Sequence, residues 1–446
     1  MYIRNVEIKH IRAISEFTME FPDGKEAGWH VLIGDNGAGK SSIVRSIAAA
    51  LIGPEEIGSV RLYWEEWLSQ KTPSGSIKLE LIFDSKFDKT GQARPLKHQA
   101  ISNEIMLKRN GRVVMESNIN AKSLNPKNYN WGDNKGWFSV AYGPFRRFTG
   151  GNPDWNKVYY SAPKAGAHLS VFGEDIALTE ALEWLKDLDR RRLKEKESAT
   201  MANMVNESNA HYQSEADAVF HGLRKFINES GLLPHETSFS GVNIEGEPEF
   251  IDGNGNTIKI TQLSDGYRSI LSMTFELIRQ MVRVYGAMAV FQPINAQVLH
   301  FQIPGVVIID EIDAHLHPTW QTRIGQWFTK FFPKLQFIVT THSPLICRGC
   351  LNEAGELNGS IWRLAAPGSK EISGLLDDTS RDRLLYGNVL DAYGTGVFGT
   401  TTSRSEEGNL KMNRLAELNV KSRIGAISKR EESEMHELKT IFPTHA

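Results

Sequence analysis

The sequence predicts an α/β fold, and two patterns carry that prediction. Apolar, β-rich residues 29–33 run into the glycine-rich stretch GDNGAGKSS at 34–42, and a helical apolar pattern follows directly. Residues 306–309 form a continuous apolar run, which is typical of a parallel strand buried on both faces of a sheet. Strands and helices that follow one another in this way are characteristic of α/β domains.

The N-terminal half predicts strands, one helix and an antiparallel β layer. Residues 1–33 have strand patterns, and the helix after the glycine-rich loop is expected to stop at Gly53. From about 75 to 145 the apolar period is two, with a hairpin turn at Asn110 and Gly111. The charged segment from about 174 to 230 is helical in pattern and long enough only for a short helical hairpin.

The sequence of the C-terminal half predicts helices between core strands. A long helix is expected from near Ser264 to Gly286, and another from Pro318 until Pro333. Residues 337–341 form the next apolar core strand.

The length of 446 residues exceeds the usual size of a single hydrophobic core. We therefore expect an N-terminal lobe over 1–173 and a helical insertion over 174–235. A C-terminal lobe is expected over 236–365. A helical tail, 366–446, is expected to contact a partner or another copy.

The composition makes no global case for nucleic-acid binding. Lys and Arg number 51 against 53 Asp and Glu, a net charge of −2, although a local basic patch stays open. The N-terminus lacks the apolar core of a signal peptide, and no apolar run reaches about 18 residues. We expect a cytoplasmic protein without a membrane partner.

The stretch 34–42 has the composition of a phosphate-binding loop. Glycines at 34, 37 and 39 let the backbone curl around oxygen atoms and present N–H groups at a helix N-terminus. Lys40 supplies positive charge, and Ser41 supplies a hydroxyl for Mg²⁺.

Two carboxylates and a histidine follow the C-terminal core strands. Asp310 lies 270 residues after Lys40, at the end of an apolar strand, where it is placed to hold Mg²⁺. The adjacent Glu311 is the candidate base for an attacking water, and the alternative is a helix N-cap cluster. His342 closes the next strand and is placed to reach a terminal phosphate; a satisfied polar histidine is the alternative.

A second anion site is indicated at 263–266. Ser264 offers a hydroxyl and Gly266 a backbone N–H at the positive end of the predicted long helix. Because one chain already has a phosphate loop, we interpret this segment as the cap for a nucleotide held by another copy.

Other metal signals in the sequence are weak. Cys347 and Cys350 form a single Cys-x-x-Cys, which we interpret as buried or incidental thiols rather than half of a zinc or redox site. His315 and His317 lack a third convergent ligand.

Residues 1–50 and 260–345 together resemble the ABC-type ATPases, within the soluble SMC, RecF and overcoming-lysogenization-defect branch of AAA family ATPases. The resemblance implies an ATPase head with a mixed central sheet, an antiparallel β layer and a short helical insertion. It implies ATP and Mg²⁺ as cofactors, and 313–317 as a D-loop at a subunit contact. The implied nucleotide-binding residues are Asn36, Gly37, Gly39, Lys40, Ser41, Ser42, Ser264 and Gly266. The implied metal ligands are Ser41 and Asp310, and the implied catalytic residues are Glu311 and His342.

Two features separate the chain from transporter ATPases, and one departs from its own branch. Ser264 lies 224 residues after Lys40, far beyond the transporter spacing, and the signature is LSDGY where transporters favour LSGGQ. The branch places a metal-sensing glutamine near 140–147, where this sequence has none. Arg146 or Arg147 is the alternative contact to phosphate or a partner, unless both are surface arginines of a solvated turn.

The tail is similar to the PtuA-like ATPases of Septu and retron-associated antiphage systems, over 388–394, 397–400 and 403–407. This resemblance implies a homodimer or higher oligomer formed around ATP and a separate HNH-type nuclease partner. A final helix is expected to open with a capping box at Ser428. The Asp-x-Asp of a Toprim nuclease does not occur after His342, so we assign no nuclease site.

Two other functions stay open. A RecF-like DNA-repair ATPase would bind DNA by itself in an ATP-dependent way. A stand-alone nuclease effector would cleave nucleic acid with a metal and without a partner.

Overall fold

The computed structural model describes most of the chain, in two compact units, Met1–Arg381 and Asp382–Ala446. The described residues are 1–60, 62–90, 100–117, 124–132, 135–146, 152–174, 176, 178–205, 215–295, 298–368, 371–388, 392 and 405–442.

The described residues form runs of strands and runs of helices. The strands are β1 (Tyr2–Ile11), β2 (Ile14–Glu20), β3 (Gly28–Gly34), β4 (Ser74–Ile82), β5 (Ile101–Asn110), β6 (Arg112–Ser117), β7 (Ser139–Tyr142), β8 (Ser238–Val242), β9 (Pro248–Ile251), β10 (Thr257–Lys259), β11 (Gly305–Ile309), β12 (Leu335–Thr341), β13 (Gly359–Leu364) and β14 (Gly374–Leu375). The helices are α1 (Lys40–Ile52), α2 (Asn156–Ser161), α3 (Pro163–His168), α4 (Thr179–Val205), α5 (Glu215–Glu229), α6 (Asp265–Tyr285), α7 (Ala287–Asn295), α8 (Pro318–Gln321), α9 (Ile324–Phe331), α10 (Asp378–Tyr386), α11 (Glu406–Arg423) and α12 (Lys429–Ile441).

The central sheet has the order β14-β13-β3-β12-β11-β7. Its five strands from β13 to β7 are mutually parallel, and β14 pairs antiparallel with β13 at the edge, so the sheet is mixed as predicted. Strands β3, β11 and β12 are buried along their whole length, which explains their continuous apolar sequence. The α/β fold class is confirmed.

The antiparallel layer is a second sheet, with the order β2-β1-β4-β5-β6. The predicted hairpin is present, because β5 ends at Asn110, Gly111 has a positive φ of 75°, and β6 starts at Arg112. Helix α1 contacts strands of both sheets, and most of its residues are buried. The main hydrophobic core therefore lies on both sides of α1.

A buried glutamine joins the two sheets. Gln336 of β12 is fully buried, its Oε1 accepts a hydrogen bond from the Ile3 N–H at 2.7 Å, and its Nε2 donates to the Ile3 carbonyl at 2.8 Å. The pairing of β1 with β4 shifts register between Ile3 and Asn5. The amide side chain thus supplies the two partners of an Ile3 backbone that lies at an irregularity of its own sheet.

The predicted charged helical segment consists of α4 and α5. Lys196 forms an ion pair with Asp217 at 2.9 Å, and the guanidinium carbon of Arg192 lies 4.2 Å from the ring centroid of Phe220. The next predicted long helix is α6, with Ser264 at its N-cap and Gly286 at its C-cap. Both ends agree with the sequence prediction.

The single helix predicted from Pro318 to Pro333 is wrong, because two helices occupy this segment. Helix α8 ends at Gln321 and α9 begins at Ile324. Between them the Arg323 N–H donates to the Trp320 carbonyl three residues earlier, so the chain tightens into a 3₁₀-type turn.

The second unit contains the two predicted terminal helices. Leu415 and Leu418 of α11 and Leu438 of α12 form a small buried cluster. Ser428 accepts a hydrogen bond from the Glu431 N–H, and the Glu431 carboxylate accepts one from the Ser428 N–H, which confirms the capping box. Segment 397–400, which contributed to the tail similarity, lies outside the described residues.

No helix in the described part of the chain is long and apolar enough to cross a membrane.

The Gln336 link generates a stability prediction. We expect Gln336→Leu to lower the free energy of unfolding by about 2–5 kcal/mol, because it leaves the buried Ile3 N–H and carbonyl without partners. Chemical denaturation monitored by circular dichroism measures this change. Gln326→Leu is the matched control, since the Gln326 side chain makes no hydrogen bond among the described residues. A loss below about 0.5 kcal/mol for Gln336→Leu would show that the link is dispensable.

Candidate functional site

The candidate site lies where four neighbouring parallel strands end. Strands β3, β12, β11 and β7 are adjacent in this order, and each is followed at its carboxyl end by a segment that carries polar groups. These segments begin at Asp35, His342, Asp310 and Gly143. Ligands of open α/β sheets bind at this edge, and sheet pairing alone therefore brings these distant residues together.

The glycine-rich loop begins at the end of β3 and leads directly into α1. Gly37 and Gly39 have φ values of 78° and 95°, a left-handed conformation that side chains with a Cβ rarely adopt. Gly39 is the N-cap of the 13-residue α1, and the first turn of this helix contains no acidic residue. Asn36 and Gly37 are exposed, whereas Ser41 is half-buried and Ser42 buried. The loop thus presents an open turn at the positive end of a helix.

Lys40 folds back across this loop. Its Nζ donates to the carbonyl oxygens of Gly34 at 2.6 Å and Asp35 at 3.0 Å, and only 5% of the residue is exposed. Burial lowers the pKa of Lys40, while the nearby carboxylates of Asp310 and Glu311 act in the opposite direction. The loop therefore holds an ammonium group beside two acidic residues at the strand ends.

Thr340 connects the two carboxylate residues. Its Oγ1 donates to Asp310 Oδ1 at 2.5 Å and accepts a hydrogen bond from the Glu311 N–H at 2.8 Å. Asp310 is buried and Glu311 is half-buried. Glu311 has a φ of 47°, which costs a non-glycine residue about 1–2 kcal/mol. The turn after β11 is not a helix, so these residues do not form a helix N-cap cluster.

Arg146 is a buried arginine beside the two carboxylate residues. It is 4% exposed, and its guanidinium donates to the carbonyl oxygens of Asp310 at 2.8 Å and Glu311 at 3.1 Å. The interpretation as a surface arginine of a solvated turn is therefore wrong, because Arg146 is buried and its N–H groups bind the backbone of the carboxylate turn. Arg147, the other residue considered there, lies outside the described residues.

His342 follows β12 and lies beside the phosphate loop. Its Nδ1 is 3.4 Å from Lys40 Nζ. Burial, and then the positive charge of Lys40, lower the pKa of His342, with the carboxylates of Asp313 and Glu311 opposing them. Both effects favour the neutral imidazole over the imidazolium.

The LSDGY segment lies at the N-terminus of α6. Ser264 is exposed and does not cap its own helix with its side chain, and Gly266 is half-buried. No hydrogen bond among the described residues joins Ser264 or Gly266 to Lys40, Asp310 or Glu311. The two anion-binding segments of one chain are thus not joined to one another directly.

Among the described residues, neither the cysteines nor the paired histidines belong to a group of side chains that could hold a metal ion. Cys347 and Cys350 are free and buried, which confirms their interpretation as buried thiols, and burial raises both pKa values. His317 Nδ1 lies 2.9 Å from Thr319 Oγ1 and caps α8, while His315 is exposed with a φ of 65°.

Sequence reasoning missed the roles of Thr340 and Arg146. The role of Thr340 could have been predicted from strand pairing. Because β11 and β12 pair in register through Ile309 and Val339, Thr340 lies beside Asp310. Arg146 had no comparable signal, since its partners are backbone carbonyl oxygens about 165 residues away, which no side-chain pattern reports.

Two protein families match separate parts of the chain. The family described as "AAA domain" matches residues 5–135. The family described as "AAA domain, putative AbiEii toxin, Type IV TA system" matches residues 171–348. The phosphate loop lies in the first matched region, and the signature, Asp310, Glu311 and His342 lie in the second.

The chain is also similar to proteins of antiphage systems. It is 25% identical to Septu protein PtuA of Bacillus mycoides over 90% of this chain and 44% of that protein. It is 30% identical to the Retron Vc95 probable ATPase of Vibrio cholerae over 39% of this chain and 32% of that protein. The Retron Ec83 probable ATPase of Escherichia coli is 36% identical over 27% of this chain and 21% of that protein. The chain thus spans less than half the length of each of these relatives.

Solved SMC heads share low sequence identity with the chain. The SMC head domain from Thermotoga maritima is 14% identical, with a TM-score of 0.41 over 84% of this chain and 98% of that one. An SmcHead bound to the C-winged helix domain of ScpA is 15% identical, with a TM-score of 0.47 over 85% and 99%.

The Lys40–His342 pair generates a pH prediction. We expect His342 to titrate below its ordinary pKa of 6.5, and Lys40→Met to move that pKa upward, because a neighbouring cation disfavours the imidazolium. NMR titration of the ring protons, assigned by comparison with His342→Gln, measures both values. Lys330→Met, which removes an exposed lysine paired with Glu353, should leave the titration unchanged. An ordinary or raised pKa for His342 would contradict the geometry.

Proposed function

We propose that this chain, an AAA-type ATPase of ABC/SMC-like kind similar to Septu PtuA and the retron ATPases, binds and hydrolyses ATP with Mg²⁺. The observation that carries the proposal is the convergence of Lys40, His342, Asp310 and Glu311 at consecutive parallel strand ends. A phosphate loop, a metal-binding carboxylate and a base are the parts that phosphoryl transfer to water requires.

The residues of the phosphate loop fit a bound nucleotide. The backbone N–H groups at the start of α1 are directed toward an anion, and Lys40 exchanges its two loop carbonyl partners for phosphate oxygen atoms. Ser41 and Asp310 are the residues that would hold Mg²⁺, and Asn36, Gly37, Gly39 and Ser42 complete the cradle. Bound Mg²⁺ supplies positive charge that offsets the phosphate oxygen atoms.

Glu311 and His342 perform the proposed chemistry. The Glu311 N–H donates to Thr340 Oγ1, which fixes the backbone that carries the half-buried Glu311 carboxylate. This carboxylate orients the attacking water and acts as the base. His342, neutral and beside Lys40, donates a hydrogen bond to the terminal phosphate. Both residues act from the loops after adjacent strands, and their separation is therefore set by the sheet.

Two copies of the chain complete two sites. Ser264 and Gly266 open the 21-residue α6 with an accessible hydroxyl and helix N-terminus, which form an anion site. Among the described residues, no hydrogen bond joins them to Lys40 of the same chain. In the proposed dimer each signature caps the nucleotide bound to Lys40 of the other copy. Higher oligomers arise if further surfaces of such dimers associate.

The proposed biological role is control of a partner nuclease in antiphage defence. Its support is the similarity to Septu PtuA over 90% of this chain, together with the similarity to the retron ATPases. The ATP-dependent dimer would be the state communicated to a separate HNH-type nuclease, with the tail 366–446 as the contact. Nucleic acid bound to the assembly would then be the nuclease's substrate.

Replacement of the proposed base tests the ATP-dependent dimer. We expect Glu311→Gln to retain ATP binding and to form a dimer, with twice the molar mass, when ATP and Mg²⁺ are added. The reason is that hydrolysis stops while the phosphate contacts remain. Light scattering measures the mass. The double variant Glu311→Gln/Lys40→Ala should stay at its starting mass. An ATP-independent mass for Glu311→Gln would contradict the dimer.

Purification with neighbouring gene products tests the partner. We expect an HNH-type nuclease encoded beside this chain to co-purify with it, and cleavage of DNA or RNA to require both proteins and to respond to ATP. Native mass spectrometry and a cleavage assay measure these outcomes. ATP-dependent DNA binding without any partner would favour a repair ATPase, and metal-dependent cleavage by this chain alone would favour a stand-alone nuclease.

A further inference from the structure

All five N–H groups of the Arg146 side chain are used within the chain. Nε donates to Ser269 Oγ at 3.2 Å, and Nη1 donates to the carbonyl oxygens of Gly143 at 2.9 Å and Asp310 at 2.8 Å. Nη2 donates to the carbonyl oxygens of Glu311 at 3.1 Å and Ile312 at 3.4 Å. An arginine side chain has five such donors, so each of them has a partner within the chain.

Three of these bonds end on one strained turn. The carbonyl oxygens of Asp310, Glu311 and Ile312 are consecutive, and the middle residue has the left-handed φ of 47°. Thr340 holds the same turn through the Glu311 N–H, and the Thr340 carbonyl accepts from the Ile312 N–H at 3.0 Å. The backbone of Glu311 is therefore held by Arg146 at its carbonyl and by Thr340 at its N–H.

The other end of Arg146 binds the helix that carries the signature. In addition to the contact with Ser269, the Arg146 carbonyl accepts a hydrogen bond from Ser272 Oγ at 3.3 Å. Both serines are buried residues of α6. A second contact runs beside it, because a Cβ at Gly266 would lie 2.7 Å from the carbonyl oxygen of His315, at the end of the same turn. The signature helix and the Glu311 turn are thus fixed to each other.

We infer that Arg146 is a positioning residue that holds the Glu311 backbone in its left-handed conformation and couples it to the signature helix. The inference rests on the proposed function, since Glu311 is the proposed base and α6 the proposed cap of the partner's nucleotide. In one copy, Arg146 links the residue that acts on its own nucleotide to the helix that caps the nucleotide of the other copy. A displaced α6 would therefore displace Glu311.

Lysine cannot replace this arginine. An ammonium group has three donors on a flexible stem, whereas the planar guanidinium spans three successive carbonyl oxygens and a serine hydroxyl at once. The substitution keeps the positive charge and removes the fixed geometry. It therefore separates a positioning role from a purely electrostatic one.

Steady-state kinetics of Arg146→Lys tests the inference. We expect kcat for ATP to fall by roughly 10- to 100-fold, because a small displacement of a catalytic group has effects of this size. KM is expected to change by less than about threefold, because no phosphate contact is lost. Arg279→Lys is the matched control. Arg279 is an arginine of α6, and its ion pair with Glu276 does not involve the turn of Asp310, Glu311 and Ile312. It should retain the wild-type kcat.

A milder variant tests the same connection with less risk of misfolding. Ser269→Ala removes only the bond to Nε, and we expect it to lower kcat by about two- to fivefold without changing KM. Combined with Arg146→Lys it should add no further loss, because both changes break one connection. Thermal melting followed by circular dichroism establishes that each variant is folded.

Three results would overturn the positioning role. Folded Arg146→Lys with a kcat within about twofold of wild type would show that the geometry is not needed, and so would an unchanged kcat for Ser269→Ala. An increase of about tenfold or more in KM at constant kcat would make Arg146 a nucleotide ligand instead. Failure of the wild-type chain to hydrolyse ATP is a different outcome, which contradicts the proposed function itself.

Discussion

The parallel order of β3, β12, β11 and β7 is the constraint on which the rest of the structure depends. Each strand delivers one part of the candidate site at its carboxyl end, and the register between strands fixes which residues face each other. Lys40 and Asp310 are 270 residues apart, yet only β12 separates their strands. The long interval between them contains strands β4, β5 and β6 of the antiparallel sheet and the α4 and α5 helices.

A site built on this edge combines a rigid sheet with one strained turn. The left-handed Glu311 is unfavourable by itself, and the hydrogen bonds from Thr340 and Arg146 offset that cost. The same arginine reaches α6, so the backbone of the proposed base and the helix of the proposed cap are held by one side chain. If another copy caps the nucleotide, a movement of α6 at one site would move the Glu311 backbone of the other site.

Much of the fold followed from local patterns in the sequence. The phosphate loop, the hairpin at Gly111 and the ends of α6 depend on glycine conformation, capping and apolar periodicity, all of which act over a few residues. The break between α8 and α9 did not follow, because the apolar face continues across it. The environment of Arg146 was also unpredictable, since its partners are carbonyl oxygens of a turn that is distant in sequence.

The central claim is that two copies share each nucleotide, and a structure of the Glu311→Gln variant with ATP and Mg²⁺ tests it most directly. The account predicts two ATP molecules per dimer, each with its phosphates against Lys40 and Ser41 of one copy. Ser264 and Gly266 of the partner copy should lie against the terminal phosphate. ATP bound at Lys40 with its terminal phosphate open to solvent, or capped by any other surface, would contradict the account.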